Sequence, residues 1–328
     1  MSYRLLTMDD WLETLAKFRQ RGGCFLLSKF SPDARQRTRS AFDDADIDGS
    51  NWWMIPRVQE RWNRKISGYP QVDIAAHVVE QYLHKRPPGR LLSIGCGTST
   101  QELRMALLAP GWQFTGIDLA PRLVEDSRQS AAAAGLHNME FRVLDATRQP
   151  IPHPPYEVVF FHSSLHHFPQ VRRFLEQRIL PVLQPGGLVV IFEFTGPNRL
   201  QFPAEQIRTI NTLLRQLPPH LRRRYKSDRL KNSVSGPGWL RMLMADPSEC
   251  ADSAAILPAL HALLEVVEEK PVGDNLLMLL LKDIAHHFVE DPEEDSNWLE
   301  WLFQEEDAYL LSQPADFVFG VYKKKEAG

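Results

Sequence analysis

The chain has 328 residues, 43% of them hydrophobic and 24% charged, which is enough for one large α/β domain with additions or for two small domains. Its net charge of −3 provides no global attraction to nucleic acid or to an anionic membrane, so neither is an expected partner. Cys24, Cys96 and Cys250 are scattered with no CxxC pair, which suits a reducing compartment and argues against a disulfide scaffold or a thiolate metal site.

The opening "MSYRLLTMDDWLETL" carries acids inside its apolar pattern and does not read as a signal peptide. Residues 1–85 show helix-period apolar positions, as in "DDWLETLAKF" and "VDIAAHVVEQYL", and are read as an N-terminal helical extension. From Arg90 short apolar strands alternate with helices. "RLLSIG" leads into a helix near Ser99, and "QFTGID" into "PRLVEDSRQSAAAAG", with Pro121 suited to the first turn and Gly135 to the C-cap. "MEFRVLD" is a third strand and "YEVVFFHSS" a fourth. A helix around "VRRFLEQRILPVL" stops at "QPGG", and "LVVIFEF" is the fifth strand. Strands joined by helix-length connections predict a parallel sheet covered on both faces. Helical insertions are expected at about 197–250, including "AEQIRTINTLLRQL", and at about 275–312. A helix and a strand resume near "SAAILPALHALLEVVEEK", and "DFVFGVYKK" is read as a half-exposed terminal strand. The run "LLMLLL", Leu276–Leu281, falls far short of the roughly 20 residues of a spanning helix. A soluble, cytoplasmic protein of one sheet domain over 86–328 is the expectation.

The stretch that points to chemistry is "RLLSIGCGTSTQEL". A glycine-rich turn after the first strand lets backbone approach a ligand and offers helix-terminal N–H groups. "GCGTST" lacks the Lys-Ser/Thr ending of a P-loop, and Thr100 stands where a dinucleotide fingerprint wants its third glycine. "TGIDLAP" places Asp118 at the next strand end, about 20 residues on, where a carboxylate can accept from two ribose hydroxyls. That feature is common to NAD and S-adenosylmethionine (SAM) sites. "RVLDA" puts Asp145 at the third strand end, where it can meet an adenine amino group.

The order of these pieces, with "VVFFHSSLHHF" and "LQPGGLVVIFEF", closely resembles the class I SAM-dependent methyltransferases. The resemblance runs from Arg90 to Thr195 and returns at Leu264–Lys270 and Asp316–Lys324. It implies an α/β, Rossmann-like seven-stranded sheet with helices on both faces, and SAM as cofactor. It also implies that Gly95, Cys96, Gly97 and Ser99 form the turn around the methionine part of SAM. Asp118 would hold the ribose, with Leu119 beside the adenine. Asp145 and Ala146 would face the adenine edge, and His162 would lie beside the sulfonium. One departure is clear: the family has an acidic residue two positions before the first glycine, where this chain has Ser93. The support it gives must come from elsewhere. "NWWMIPRVQERWNRKISG" and "EFTGPNRLQFPAEQIRTINTLL" resemble lid segments of bacterial small-molecule and glycan methyltransferases, with Trp52, Trp53 and Arg57 as lid residues.

Methyl transfer needs an aligned acceptor, exclusion of water and management of one proton. The carboxyl ends of strands four and five offer His162, His166, His167 and Glu193. The reading is that His167 or Glu193 orients or deprotonates the acceptor, while His166, Arg199 and Gln201 contact it. Adjacent histidines should not both point the same way. A metal set of His166, His167 and Glu193 is disfavoured, since adjacent positions fit facial coordination poorly. "RQLPPHLRRRYK" concentrates positive charge that suits a phosphate, a nucleotide-sugar, an acidic carrier or a solvated loop. The helix in Asn297–Leu311 is a candidate homodimer surface. Two other activities fit part of the pattern: a nicotinamide oxidoreductase, and a catalytically silent SAM-binding regulator.

Overall fold

A computed structural model describes residues 4–7, 10, 50–289 and 293–325. The predicted "DDWLETLAKF" helix lies, but for Asp10, outside them. Seven strands form one sheet: β1 (Arg90–Ile94), β2 (Gln113–Asp118), β3 (Met139–Val143), β4 (Tyr156–His162), β5 (Leu183–Phe194), β6 (Glu265–Gly273) and β7 (Phe317–Lys323). Their order across the sheet is β3-β2-β1-β4-β5-β7-β6. The first five are parallel, and β7 runs antiparallel to both β5 and β6.

Period two divides the strand residues between the two faces. Leu91, Val158, Phe160, Val190 and Phe192 point to one cluster; Leu92, Ile94, Val159, Phe161, Val189 and Ile191 point to the other. The first face is covered by α1 (Pro56–Ser67), α2 (Ile74–Val78, continued by a π turn to Leu83), α3 (Thr100–Leu108) and later helices. The second is covered by α5 (Val171–Phe174, continued to Ile179) and by Ile256–Leu263. Between α3 and α5, α4 (Pro121–Ala133) packs Val124 and Ala131 on Phe141 and Cys96. Each fully buried Phe or Leu contributes roughly 1.5–3 kcal/mol over an exposed one, so both faces are needed to hold the sheet.

Local signals set the element ends. Pro56 opens α1 and Gly68, at φ 87°, closes it in the left-handed region. Asp73 caps α2 by accepting from the Ala76 N–H at 2.9 Å.

One expectation is corrected. β7 is not half-exposed: Phe317 to Tyr322 are buried, with β5 on one side and β6 on the other. "FVFGVY" is a continuous apolar run whose two faces both find a core, which is how a strand buried on both sides reads. The edge falls to β6, where Val266 and Val267 are about half exposed.

Between β5 and β6 lie α6 (Ala204–Gln216), α7 (Trp239–Ala245) and α8 (Ile256–Leu263); between β6 and β7 lie α9 (Leu277–Leu281) and α10 (Glu293–Leu310). Among the described residues no helix is long and apolar enough to cross a membrane.

Candidate active site

The carboxyl ends of β1, β2, β4 and β5 converge on one edge. β1 ends in a turn with Gly95 at φ 68° and Gly97 at φ 54°. A Cβ on Gly95 would stand 2.7 Å from Ser164 Cβ, so glycine is required there by close approach of the β4 loop. Gly97 faces space with nothing within 4 Å of its absent Cβ. Its N–H donates to Asp118 Oδ2 at 2.9 Å, while Ala120 N–H donates to Oδ1 at 2.8 Å. Asp118 thus clasps the turn to β2. Burial raises its pKa, and the two N–H groups work against that rise. Ser99, also left-handed at φ 57°, starts α3, and Ser127 Oγ lies 3.1 Å from Ser99 Oγ and 2.9 Å from Gly97 O.

The carboxylate absent at position 93 is found nine residues on. Ser93 Oγ donates to Glu102 Oε1 at 2.5 Å, and both side chains are buried. Burial pushes Glu102 up to about 7 despite the Ser93 bond. An acid projecting inward from α3 replaces one projecting from β1.

The β4 loop hangs on Glu193. Fully buried on β5, Glu193 Oε1 accepts from the N–H groups of Ser164 (2.5 Å) and Leu165 (2.6 Å), and Oε2 meets His166 Nδ1 at 2.7 Å. Ser164 Oγ donates to Ile94 O at 2.7 Å, tying the loop to β1. Burial resists charging of His166, but Glu193 and the acids Glu249 and Asp246 outweigh it and the net direction is upward. His167 moves down, through burial first and then the neighbouring His166. His162 stacks on Phe192 at 5.3 Å, and burial takes it down to about 4, so it is neutral at neutral pH.

The segment after α7 closes over the histidines. His167 Nδ1 lies 3.1 Å from Ser248 Oγ, which donates to Asp246 Oδ1 at 2.7 Å. His166 Nε2 faces Glu249 Oε1 at 3.9 Å, and His167 Nε2 faces Glu249 Oε2 at 3.8 Å. The two rings, with centroids 4.3 Å apart, therefore turn toward one carboxylate, against the expectation that adjacent histidines diverge. They sit in a short 3-10 turn, Leu165–His167, and converge because the segment around Glu249 packs over both rings.

The remaining sequence-selected residues fall in different places. Asp145 Oδ1 accepts from Thr147 N–H and Oγ1, so part of that carboxylate shapes its own turn at the β3 end, and Ala146 O accepts from Arg178. Leu119 is half-buried beside Asp118. Gln201 is buried, its amide spent on Arg199 O, Pro237 O and the Arg4 N–H. Arg199 reaches Glu249 O at 3.0 Å. Trp53 is 39% exposed, and Arg57 pairs with Glu300 of α10 at 3.0 Å. In the basic stretch, Arg224 pairs with Asp283 and Arg223 with Asp228 at 3.6 Å.

Residues 86–245 match the family model described as a methyltransferase domain. This segment belongs to the class I SAM-dependent methyltransferases. The 27-O-demethylrifamycin SV methyltransferase of Amycolatopsis mediterranei is 33% identical over 129 residues, 38% of this chain and 47% of that protein. A demethylmenaquinone methyltransferase of Thermus thermophilus is 30% identical over 142 residues, 43% of this chain and 58% of that one. The chain thus spans about half the length of the curated relatives it matches. Among solved structures, the plantazolicin methyltransferase BpumL in complex with SAH is 14% identical with a TM-score of 0.42, over 97% of this chain and 100% of its own.

Several residues of this methyltransferase edge escaped the sequence reading. Glu102 carries a signal in hindsight, an acid on the inward side of α3. Asp246 and Glu249 carry none, because the histidines they face lie some 80 residues away, and Cys250 reads only as an isolated cysteine until the fold brings it near His166. Asp274, after β6, is buried at φ 63° with Oδ2 lacking a partner in hydrogen-bond geometry, as are the nearby indole N–H groups of Trp52 and Trp62. Burial, then Glu306, raises Asp274 to about 7, while the two indoles pull it down.

Proposed function

We propose that the chain is a SAM-dependent methyltransferase moving a methyl group to an oxygen or nitrogen of a small molecule or glycan precursor. The observation that carries this reading is the Asp118 clasp: a carboxylate at the β2 end holding the open Gly97 turn of β1 through a 2.9 Å bond. The residues fit the cofactor. Gly97 leaves space where a side chain would project, and each Asp118 oxygen retains a lone pair for a ribose hydroxyl. Gly95, Cys96, Gly97 and Ser99 would line the methionine part. Leu119, Asp145 and Ala146 would flank the adenine, and His162 would face the sulfonium. When bound, SAM supplies an already activated methyl group. A His162 held neutral adds no positive charge beside a cationic ligand.

The chain must orient the acceptor and take one proton. His167 is the group we assign to that proton. Ser248 gives its hydroxyl proton to Asp246, so the imidazole Nδ1–H donates to Ser248 and Nε2 keeps its lone pair. Its lowered pKa keeps the ring in this neutral, accepting form. Glu193 is too buried to touch an acceptor, and we assign it as a positioning residue. Arg199 is left as the polar contact for the acceptor, and Gln201 as support for that loop. Trp53, Arg57 and the insertions around 197–250 and 275–312 form a lid over the site, on a single sheet domain.

Thermal unfolding with SAM, S-adenosylhomocysteine or NADH tests the cofactor. Saturation at a hundredfold over Kd adds about 2.7 kcal/mol of stability. A shift with the adenosyl ligands alone is expected; a shift with NADH alone overturns the reading. Methyl transfer to an acceptor panel then separates an enzyme from a silent binder.

A further inference from the structure

The segment that closes over the histidines brings three different donor chemistries together. Glu193 holds His166 through Nδ1 at 2.7 Å, which turns Nε2 away from Glu193 and toward Glu249 Oε1. Cys250 Sγ lies 3.2 Å from that same oxygen. One donor atom each from His166, Glu249 and Cys250 lie within 4.8 Å of one another. Donors around a tetrahedral ion bound at about 2.0–2.3 Å stand roughly 3.3–3.8 Å apart, so only a small closure is needed.

Both segments are pinned at the point of convergence. Ala251 N–H donates to His166 O at 3.2 Å, and Arg199 N–H donates to Cys250 O at 2.7 Å. With Nδ1–H donated to Glu193, His166 Nε2 carries a lone pair. A lone pair facing a carboxylate and a sulfur is unfavourable unless a proton or a cation sits between them.

We propose that His166 Nε2, Glu249 and Cys250 bind a divalent transition-metal ion of the zinc class. The donor set is nitrogen, oxygen and sulfur; magnesium and calcium prefer all-oxygen sites, whereas zinc accepts this mixture. Glu193 supplies the outer carboxylate that such a histidine characteristically has, fixing its tautomer and ring orientation. Glu249 and a Cys250 thiolate together balance a 2+ ion, the thiol proton leaving to solvent on binding. Arg199, whose guanidinium reaches Glu249 O, opposes the ion, and Asp246 beyond His167 favours it. Glu193 itself is on the Nδ1 side and is no ligand. Three protein donors leave a fourth position, on the side where His167 Nε2 meets the other oxygen of Glu249. This inference does not rest on the methyltransferase reading.

The test uses the full chain, stripped with a chelator and then titrated with Zn²⁺ or Co²⁺. Metal content by mass spectrometry and the cobalt absorption spectrum are read, neither of which needs turnover. One ion per chain and a thiolate-to-cobalt charge-transfer band are expected. Cys250→Ser should abolish the band, and Glu193→Gln should weaken affinity about 10–100-fold through the outer shell. Where Cys250→Ser loses its circular-dichroism signature, Glu249→Gln replaces it and should lower affinity with the band retained but shifted. Metal content no higher than the buffer control, or binding unchanged in Cys250→Ser and in Glu249→Gln, overturns the proposal. In that case His166 is a doubly protonated imidazolium between two carboxylates, visible in its ring ¹⁵N shifts.

Discussion

The two halves of the site edge are built in different ways. At the β1–β2 end, each contact joins residues no more than about thirty positions apart: Ser93 to Glu102, Gly97 to Asp118, Ser127 to Gly97. At the β4–β5 end the contacts span the chain. Glu193 reaches the β4 loop over 29 positions, but Ser248 reaches His167 over 81 and Gln206 reaches Asp316 over 110. The cofactor end can therefore be assembled by one strand–turn–helix and its neighbour. The histidine end is complete only once the insertion between β5 and β6 has packed on the β4 loop.

Removing Glu193 should do the greatest harm, because it anchors the β4 loop that Ser164 in turn ties to β1. Glu193→Ala strands two buried N–H groups and a histidine, and should cost about 3–5 kcal/mol in urea unfolding. A loss below about 1 kcal/mol would mean the β4 loop is held from elsewhere. Asp118→Ala strikes the local half. Two hydrogen bonds to a charged acceptor at roughly 1.5–3 kcal/mol each predict at least a hundredfold weaker SAM binding by calorimetry, with a smaller effect on folding than Glu193→Ala. Equal effects of both variants on folding and on SAM would erase the distinction.

The same division governs what the sequence made legible. β1 to β5, the glycine turn and Asp118 are signalled by period, by turn residues and by spacing within one βαβ unit. Ser93 is visible as a departure, but the compensating Glu102 is not, since an acid in a helix usually faces water. β7 reads as half-exposed because its apolar and polar residues alternate at the ends of "DFVFGVYKK", and the pattern does not say that strands and helices cover both of its faces. Asp246, Glu249 and Cys250 look like a surface turn until the fold sets them on the histidines. Asp274 and Glu306 carry no local pattern at all; their meaning is that they are buried together.

Glu102 allows the local half to be tested by pH. Its folded pKa of about 7 stands above the ordinary 4.5, so folding favours the protonated form. That contribution is fully present below pH 4.5 and is lost as pH rises through 7. A shift of that size corresponds to on the order of 3 kcal/mol. Glu102→Gln keeps an acceptor for Ser93 without the charge. It should melt higher than the parent at pH 8 and show a shallower fall between pH 5 and 8. Asp274 and Asp316, both raised to about 7 by burial, keep part of the slope. A variant whose melting temperature tracks the parent at both pH values would mean Glu102 is already ionised in the fold.

Arg57→Ala should have the smallest effect on stability, and for that reason it sharpens the comparison most on the lid. Its ion pair with Glu300 is partly exposed on both sides, and such pairs contribute about 0–1 kcal/mol. Arg61 and Lys65 on the same face of α1 keep their hold on Asp307, and Arg61 lies over the Phe303 ring at 4.9 Å, so α1 stays latched to α10 without Arg57. The variant should unfold within about 0.5 kcal/mol of the parent while SAM enters and leaves faster in stopped-flow measurements. Destabilisation above about 1 kcal/mol would instead make Arg57 a strut of the α1–α10 contact. The lid would then be confined to Trp53 and the insertion after β5.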